Sequence, residues 1–245
     1  LISLVVGTVN ISVSDAFKAL VGNASSTQID TILLDIRLPR ILLAILVGAV
    51  LASTGAVMQG LFRNPLADPS LIGVSSGASA GASFVIIFCS TWLHSSSFFG
   101  LTLVAFGAST GGALAVLLVY RLSTSSTGTS VPTMLLVGIA ISALAGALNG
   151  IFSFIADNEM LRRMSLWQMG SLDAADWFRV GIAGIAASIL LITLPNQSQA
   201  LNAFLLGESE ARHLGIDTER VKQRIILLTA IGVGTSVAVA GMISF

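Results

Sequence analysis

A single apolar run, from Ile41 to Phe62, constrains this chain more than any other feature of its sequence. The run contains no ionisable side chain, and arginines stand at both of its ends: Arg37 and Arg40 precede it and Arg63 follows it. About 20 apolar residues in an α-helix are enough to cross the roughly 30 Å hydrocarbon layer of a bilayer. The run is therefore predicted to be a transmembrane helix with charged ends.

The composition is that of a membrane protein. Hydrophobic residues make up 54% of the 245 residues and charged residues only 10%, whereas a soluble domain carries about 25% charged residues. The formal net charge is zero and no basic stripe is present, which argues against a nucleic-acid partner because lysines and arginines must neutralise phosphates. The single cysteine, Cys89, cannot form an internal disulfide, and we interpret it as a packing residue.

Charged residues are rare in lipid, so the clusters of charge divide the chain into candidate spans. Seven are predicted: Leu1 to Val13 (incomplete), Ile41 to Phe62, Leu71 to Leu93, Phe99 to Tyr120, Pro132 to Ala156, Phe178 to Leu194 and Gln223 to Phe245. The backbone must satisfy its own hydrogen bonds in lipid, so the predicted fold class is all-α, a polytopic bundle of transmembrane helices. We expect residues 1–245 to be one transmembrane domain, truncated at both ends, because the chain starts without methionine and stops inside an apolar run.

Two connections between the spans carry structural signals. Asn64, Pro65 and Pro69 break the helix that precedes them, and they predict a sharp structural turn. The longest and most charged connection contains residues 202–216, where the apolar spacing predicts two short helices broken at Gly207. Such a segment suggests a docking element, although a solvated loop with a surface helix fits the pattern equally.

A few polar side chains stand inside the predicted spans. Such groups usually face the interior of a helix bundle or a cavity rather than lipid. We expect them to line a solute path, since weak hydroxyl and amide contacts allow a solute to enter and to leave. The candidate path residues are Gln59, Ser75, Ser76, Asn149 and Ser153. Hydrogen bonding between helices is an equally good interpretation of the same residues.

Positive charge is divided evenly between the two sides of the predicted membrane domain. One side carries Lys18, Arg37, Arg40, Arg162, Arg163 and Arg179, and the other carries Arg63, Arg121, Arg212, Arg220, Lys222 and Arg224. Positively charged loops normally mark the cytoplasmic side, but an even division gives no orientation. Arginines on both faces suggest protein partners on both faces.

Several motifs follow one another in an order that is typical of one transporter family. The first motifs are Arg37-Leu38-Pro39-Arg40, then Val47-Gly48-Ala49 with Gly55 and Gln59, then RNPLADP from Arg63 to Pro69 and GVSSGA from Gly73 to Ala78. The later ones are WQMGSL from Trp167 to Leu172, Leu206-Gly207-Glu208 with Ala211 and Leu214-Gly215, and GMISF from Gly241 to Phe245. In this order and spacing the chain resembles the permease subunits of type II ABC importers for iron-siderophores, haem and vitamin B12. The resemblance covers nearly the whole chain.

The resemblance implies a permease that imports an iron-siderophore, haem or cobalamin-type chelate across the bacterial cytoplasmic (inner) membrane. Such permeases have ten helices, of which seven would be present here, and they work as homodimers with the solute path along the dimer axis. The implied partners are a second copy of the chain, two cytoplasmic ATP-binding subunits, an extracytoplasmic solute-binding protein and the lipid bilayer. The family topology places the loop of Glu208 in the cytoplasm and Arg37 and Arg40 outside.

Within that assembly, Arg37 and Arg40 are predicted to dock acidic residues of the solute-binding protein. The alternative is that both side chains snorkel to lipid headgroups. The chain has no G-x-x-x-x-G-K-[ST] pattern, so it is not expected to be an enzyme, and ATP would bind only the partner subunit. Energy would then arrive by contact through residues 202–216, unless this segment is only a connector. The residues assigned to ATPase coupling are Leu205, Leu206, Gly207, Glu208, Ala211, Arg212, Leu214 and Gly215.

An ion-gradient-driven secondary transporter is the alternative function. Such a carrier is expected to bury ionisable groups midway through its spans, and the predicted spans contain none at that depth, since Arg179 and Arg224 stand at the second residue of their spans. A membrane enzyme would need a cluster of metal-ligating or catalytic side chains at membrane depth, whereas His94 and His213 lie far apart in loops. No cofactor or metal is expected on this chain, and the sequence does not identify the chelate.

Overall fold

The computed structural model describes residues 2–7, 9–21, 26–89, 97–126 and 128–243. Its helices are α1 (Ile2–Val5), α2 (Val13–Leu20), α3 (Thr27–Asp30), α4 (Leu38–Phe62), α5 (Val74–Phe88), α6 (Ser97–Ser123), α7 (Val131–Ile155), α8 (Asn158–Met169), α9 (Trp177–Thr193), α10 (Ser198–Leu206), α11 (Glu208–His213) and α12 (Thr218–Ala240). A π-helical turn (Thr31–Arg37) joins α3 to α4, and 3-10 turns lie at Pro69–Ile72 and Pro195–Gln197. A small antiparallel hairpin, β1 (Thr124–Ser125) and β2 (Gly128–Thr129), connects α6 to α7. The predicted helical membrane fold is confirmed.

The helices that can cross a membrane agree with most of the predicted spans. Five stretches are long and apolar enough: Thr27–Phe62, Thr102–Ser123, Val131–Ile155, Trp177–Leu206 and Thr218–Ala240. Helix α5 is a shorter apolar helix that matches the predicted span from Leu71, and the part of that span from residue 90 onwards lies outside the described residues. Six of the seven predicted spans therefore correspond to an observed helix.

The predicted span from Leu1 to Val13 is wrong, because only Ile2–Val5 are helical among its described residues before α2 begins. The guanidinium of Arg37 donates hydrogen bonds to the carbonyl oxygens of Leu4 and Val9, which a continuous helix would use for its own amides. The apolar residues of this segment pack instead into a small separate core around the buried Leu33.

Helix α12 begins at Thr218, five residues before the predicted boundary at Gln223. The carboxylate of Asp217 accepts a hydrogen bond from the amide of Arg220 at 3.1 Å, so it satisfies one of the free amides of the first turn. Glu219, Arg220 and Lys222, which the predicted boundary leaves outside the span, are therefore part of the first two turns of the helix. Lys222 consequently lies on α12, where it is completely buried.

Glycines bring the spans into close contact. Helices α5 and α6 pack backbone to backbone, because a Cβ atom at Gly81 would run into the carbonyl oxygen of Gly107, and one at Gly77 into that of Gly111. In lipid no hydrophobic force draws helices together, so small residues that permit tight van der Waals packing stabilise the pair. Gly232 on α12 has the same role against α4 and α9, where a Cβ atom would crowd Leu190.

One end of the bundle, which we call the Arg40 end, is defined by contacts between the start of α4, the start of α9 and the end of α12. Arg40 forms an ion pair with Asp173 at 3.0 Å. The indole of Trp177 donates a hydrogen bond to the carbonyl oxygen of Leu34 at 3.1 Å. Arg179 donates to the carbonyl oxygen of Val239 at 3.0 Å, which caps the end of α12.

The opposite end, which we call the Glu208 end, contains the hairpin, helices α10 and α11, and the start of α12. Lys222 and Glu208 approach to 2.8 Å there. Nearby, the side-chain amide of Gln223 donates to the hydroxyl of Tyr120 at 2.8 Å. The spans therefore connect two polar ends that are separated by apolar surface.

Candidate functional site

A polar cavity of about 460 Å³ lies between α4, α5, α7, α8 and the segment after α12. Its polar lining consists of Asp68, Ser70, Ser75, Ser76, Ser79, Ser142, Asn149 and Gln168. Three of the five predicted path residues, Ser75, Ser76 and Asn149, come together there. A larger cavity of about 690 Å³ between α6 and α12 has mainly apolar walls, as expected for surface that faces lipid or another helix.

The polar residues of this cavity also form bonds between helices. The hydroxyl of Ser76 on α5 donates to that of Ser142 on α7 at 3.0 Å, and the amide nitrogen of Asn149 on α7 donates to the hydroxyl of Ser79 on α5 at 3.1 Å. The amide oxygen of Asn149 is buried and accepts no hydrogen bond from the described residues. These side chains therefore both line a cavity and join α5 to α7, and the solute path stays a prediction.

Two predicted path residues lie elsewhere. Gln59 is exposed on α4 and is not part of the cavity wall. Ser153 is exposed on α7, where its hydroxyl donates to the carbonyl oxygen of Asn149 at 2.8 Å. The sequence interpretation missed Ser79, Ser142 and Gln168. Helical spacing was the signal for the two serines, since Ser79 follows Ser75 by four residues and Ser142 precedes Asn149 by seven.

The predicted structural turn forms one side of this cavity. The side chain of Asn64 accepts a hydrogen bond from the amide of Leu66 at 2.9 Å, and Asp68 accepts from the amide of Ser70 at 2.6 Å. Helix α4 ends in a left-handed residue, Arg63, with φ of 51°. Pro65 is exposed, whereas Pro69 is buried at the start of a 3-10 turn and lines the cavity.

The two arginines of the Arg40 end have different surroundings. Arg37 is partly buried, and its guanidinium binds main-chain carbonyl oxygens of the N-terminal segment, one of them at 2.6 Å. The side chain of Arg40 is 43% exposed and pairs with Asp173, whose side chain is 84% exposed. Arg40 is therefore the more exposed of the two, although it also binds Asp173 within the chain, and docking of a solute-binding protein stays a prediction for both arginines.

Residues 202–216 contain two short helices, α10 and α11, that meet at Gly207. Gly207 has φ of 126° and ψ of 152°, a conformation that side-chain-bearing residues rarely adopt. Leu205, Leu206 and Leu214 are 61%, 69% and 64% exposed. Ala211 is fully buried and fixes α11 to the bundle, and Gly215 ends the segment with φ of 83°. This end of the molecule thus exposes three leucines on and just after its two short helices.

Glu208 and Arg212, which were assigned as contacts for the ATP-binding subunit, bind one another at 2.6 Å. Glu208 also binds Lys222 on α12 at 2.8 Å. Burial is the largest single influence and raises the pKa of Glu208, but hydrogen bonds and charge from Lys222 and Arg212 together outweigh it, so the pKa lies below its ordinary value. The carboxylate is consequently held in its charged form, and its observed partners, Arg212 and Lys222, belong to the same chain.

No metal centre is evident in the parts of the chain that the structure describes, where no three His, Cys, Asp or Glu side chains are placed to hold an ion together. His213 is exposed on α11, and its ring nitrogen lies 3.8 Å from Glu210. His94 lies outside the described residues.

Comparison with known proteins gives a family match over the whole chain. The model of the FecCD transport family matches residues 1–245. The hemin transport system permease protein HmuU of Yersinia pestis is 39% identical over 247 residues, which cover 100% of this chain and 72% of the relative. The vitamin B12 import system permease protein BtuC of Vibrio vulnificus is 34% identical over 242 residues, with 99% and 70% covered.

Two further comparisons extend this result. The cobalamin import system permease protein BtuC of Halobacterium salinarum is 37% identical over 210 residues, which cover 86% of this chain and 54% of the relative. Among solved structures, a metal-chelate type ABC transporter in an inward-facing conformation matches with a TM-score of 0.83 and 31% identity. That match covers 99% of this chain and 72% of the other.

Proposed function

Because the chain belongs to the FecCD transport family, we propose that it is the membrane-spanning permease subunit of an ATP-driven importer for an iron-siderophore, haem or cobalamin-type chelate. The observation that carries this proposal is the Glu208 end, where Leu205 and Leu206 on α10 and Leu214 just after α11 are exposed. A permease without a phosphate-binding loop must receive its energy by contact, and exposed leucines are suitable anchors for a second protein.

The complete transporter contains this chain twice, with two cytoplasmic ATP-binding subunits and an extracytoplasmic solute-binding protein, in the bacterial inner membrane. Helix α7 supports the dimer, because only 17% of its most apolar stretch is buried, against 28% to 50% in the other four long spans. Its exposed residues include Ala147 and Gly150, and small residues of this kind allow a second helix to approach closely.

The solute path includes the polar cavity beside α7. Its serines, Asn149 and Gln168 offer hydroxyl and amide groups, which bind a large chelate weakly enough to release it. Arg40 supplies the docking charge for the solute-binding protein at the Arg40 end, and Arg37 supports it by fixing the adjacent N-terminal segment. One relative is named as a hemin permease and another as a vitamin B12 permease, so only the class of chelate is assigned to this chain.

Reconstitution tests this function directly. Proteoliposomes that contain the full-length protein with its ATP-binding and solute-binding partners should accumulate haem, a ferric siderophore or cobalamin only when ATP is supplied on the side of the ATP-binding subunit. The matched control omits ATP and applies a proton or sodium gradient. Uptake driven by the gradient alone would favour the secondary transporter. The buried Lys222 does not favour it, since this residue lies near the start of α12 rather than midway along it.

A further inference from the structure

A completely buried cation stands at the Glu208 end, and the assignment of coupling residues did not include it. The side chain of Lys222 has no exposed surface. Its ammonium group lies 2.8 Å from the carboxylate of Glu208 and 2.6 Å from that of Glu219, and it donates a hydrogen bond to the carbonyl oxygen of Thr129. The ammonium is thus surrounded by two hydrogen bonds, to Glu208 and Thr129, and an ion pair with Glu219.

These contacts join three parts of the chain that are distant in sequence. Glu208 begins α11, Glu219 and Lys222 lie on α12, and Thr129 lies on β2 of the hairpin that leads into α7. Glu219 also accepts a hydrogen bond from the amide of Thr129 at 2.9 Å. Gly128 lets the hairpin come this close, because a Cβ atom there would lie 2.7 Å from the carboxylate of Glu219.

The charge of Lys222 is needed to keep two neighbouring carboxylates together. Removing one member of a buried ionic cluster costs far more than the cluster itself contributes, because the remaining charges lose their compensation. Without Lys222, the carboxylates of Glu208 and Glu219, each 31% exposed, would repel one another with only Arg212, which binds Glu208, to compensate them. Their repulsion would push α11 away from α12, and Gly207 gives α11 a flexible joint on its other side.

We propose that Lys222 is a positioning residue that holds α11, α12 and the hairpin before α7 together, so that a push on the coupling helices moves α7 and α12 as one unit. The transmission part of this inference rests on the proposed function. The same two helices reach the polar cavity. Ser142 and Asn149 on α7 line it, and so does Met242, which follows α12.

Electron paramagnetic resonance distances test the positioning. Spin labels at Ser126→Cys on the hairpin and Ser209→Cys on α11, in a Cys89→Ser background, should give one narrow distance distribution. Lys222→Met keeps the aliphatic stem but removes the charge, and it should broaden and lengthen that distribution. Arg224→Met, which removes an exposed cation two residues further along α12, is the matched control and should leave it narrow. Adding Glu208→Gln to Lys222→Met should restore part of the narrowness, because the repulsion is removed.

Transport tests the transmission. In proteoliposomes with both partners, Lys222→Met should lower ATP-driven uptake about tenfold or more while the ATP-binding subunit still copurifies. If Lys222→Met does not fold, Glu208→Gln alone keeps the Lys222 to Glu219 pair and should broaden the distance to a smaller extent. A narrow distance distribution in both variants overturns the positioning role. A broadened distribution with normal uptake overturns the transmission of motion from α11 to α7 and α12. Absence of ATP-driven uptake by the unsubstituted protein would refute the proposed function, while the distance measurement would still decide the positioning.

Discussion

At the scale of single residues, Gly207 sets the angle between α10 and α11, the proposed contact with the ATP-binding subunit. Its φ of 126° is accessible to glycine, and a β-branched residue held in such a conformation carries about 1–3 kcal/mol of strain. We predict that Gly207→Val displaces α11 relative to α10 and reduces copurification of the ATP-binding subunit, while the solute-binding protein still binds. Gly181→Val on α9 is the control, because a Cβ atom there meets nothing within 4 Å. Normal copurification and normal uptake by Gly207→Val would show that residues 202–216 are only a connector.

Glu208 gives a prediction about pH. Its pKa is lower in the folded chain than in the unfolded one, so its bonds to Lys222 and Arg212 stabilise the fold above the unfolded value of about 4.3. This contribution disappears as the pH falls through the lower folded pKa. The distance between labels at Ser126→Cys and Ser209→Cys should therefore stay constant from about pH 8 to pH 5 and broaden only in stronger acid. Broadening that is centred near neutral pH, or an identical acid transition in Glu208→Gln, would contradict this assignment.

Local sequence reasoning has a clear limit at this scale. Ser75, Ser76 and Asn149 were chosen because they are polar inside apolar runs, and the structure places them in one cavity. Gln59 is also polar inside an apolar run, but it is exposed. Polarity alone does not show which face of a helix is covered by its neighbours. The sequence places Lys222 in a loop because a lysine is not expected inside a span. Its partners Glu208 and Thr129, which compensate its charge, are brought to it only by the tertiary fold.

At the scale of elements, the contact between α5 and α6 depends on having no side chain at the crossing. A Cβ atom at Gly81 would overlap the carbonyl oxygen of Gly107, and backbone cannot move aside as a flexible side chain can. We predict that Gly81→Val separates the two helices and lowers the stability of the protein in detergent by about 1–3 kcal/mol or more. Thermal unfolding followed by fluorescence would measure this. Gly181→Ala on α9, where nothing lies within 4 Å, should change the midpoint little, and equal effects of the two substitutions would contradict the packing argument.

Element boundaries were predictable where lipid imposes length and charge marks the ends. The predicted runs Ile41 to Phe62 and Phe178 to Leu194 agree with the ends of α4 and the whole of α9 within a few residues. The prediction failed where polar side chains extend or interrupt a helix. Asp217 lengthens α12 by capping it five residues early. In the N-terminal segment, Arg37 binds the carbonyl oxygens that a span would require, and hydrophobicity alone cannot show such a long-range contact.

At the scale of the whole molecule, the two polar ends define a membrane topology. The Arg40 end contains Asp173 and Trp177, and the Glu208 end contains Tyr120 and Lys222. Spans Thr102–Ser123, Trp177–Leu206 and Thr218–Ala240 connect the two ends through apolar surface. An even division of positive charge leaves the orientation open. We propose the orientation of the family topology, with the Glu208 end in the cytoplasm beside the proposed ATP-binding subunits.

This orientation predicts opposite labelling of two exposed positions in a Cys89→Ser background. Asn158→Cys, at the start of α8 and on the side of the Arg40 end, should react with a membrane-impermeant thiol reagent in intact spheroplasts. Ser209→Cys on α11 should react only in inverted vesicles, because α11 would lie in the cytoplasm, and ATP-binding subunits seated on α10 and α11 should protect it there. Cys89→Ser without an added cysteine is the control for background labelling. Reaction of both positions from the same side would be incompatible with the spans described here, and a reversed pattern would place the coupling helices outside the cell, where no ATP-binding subunit can reach them.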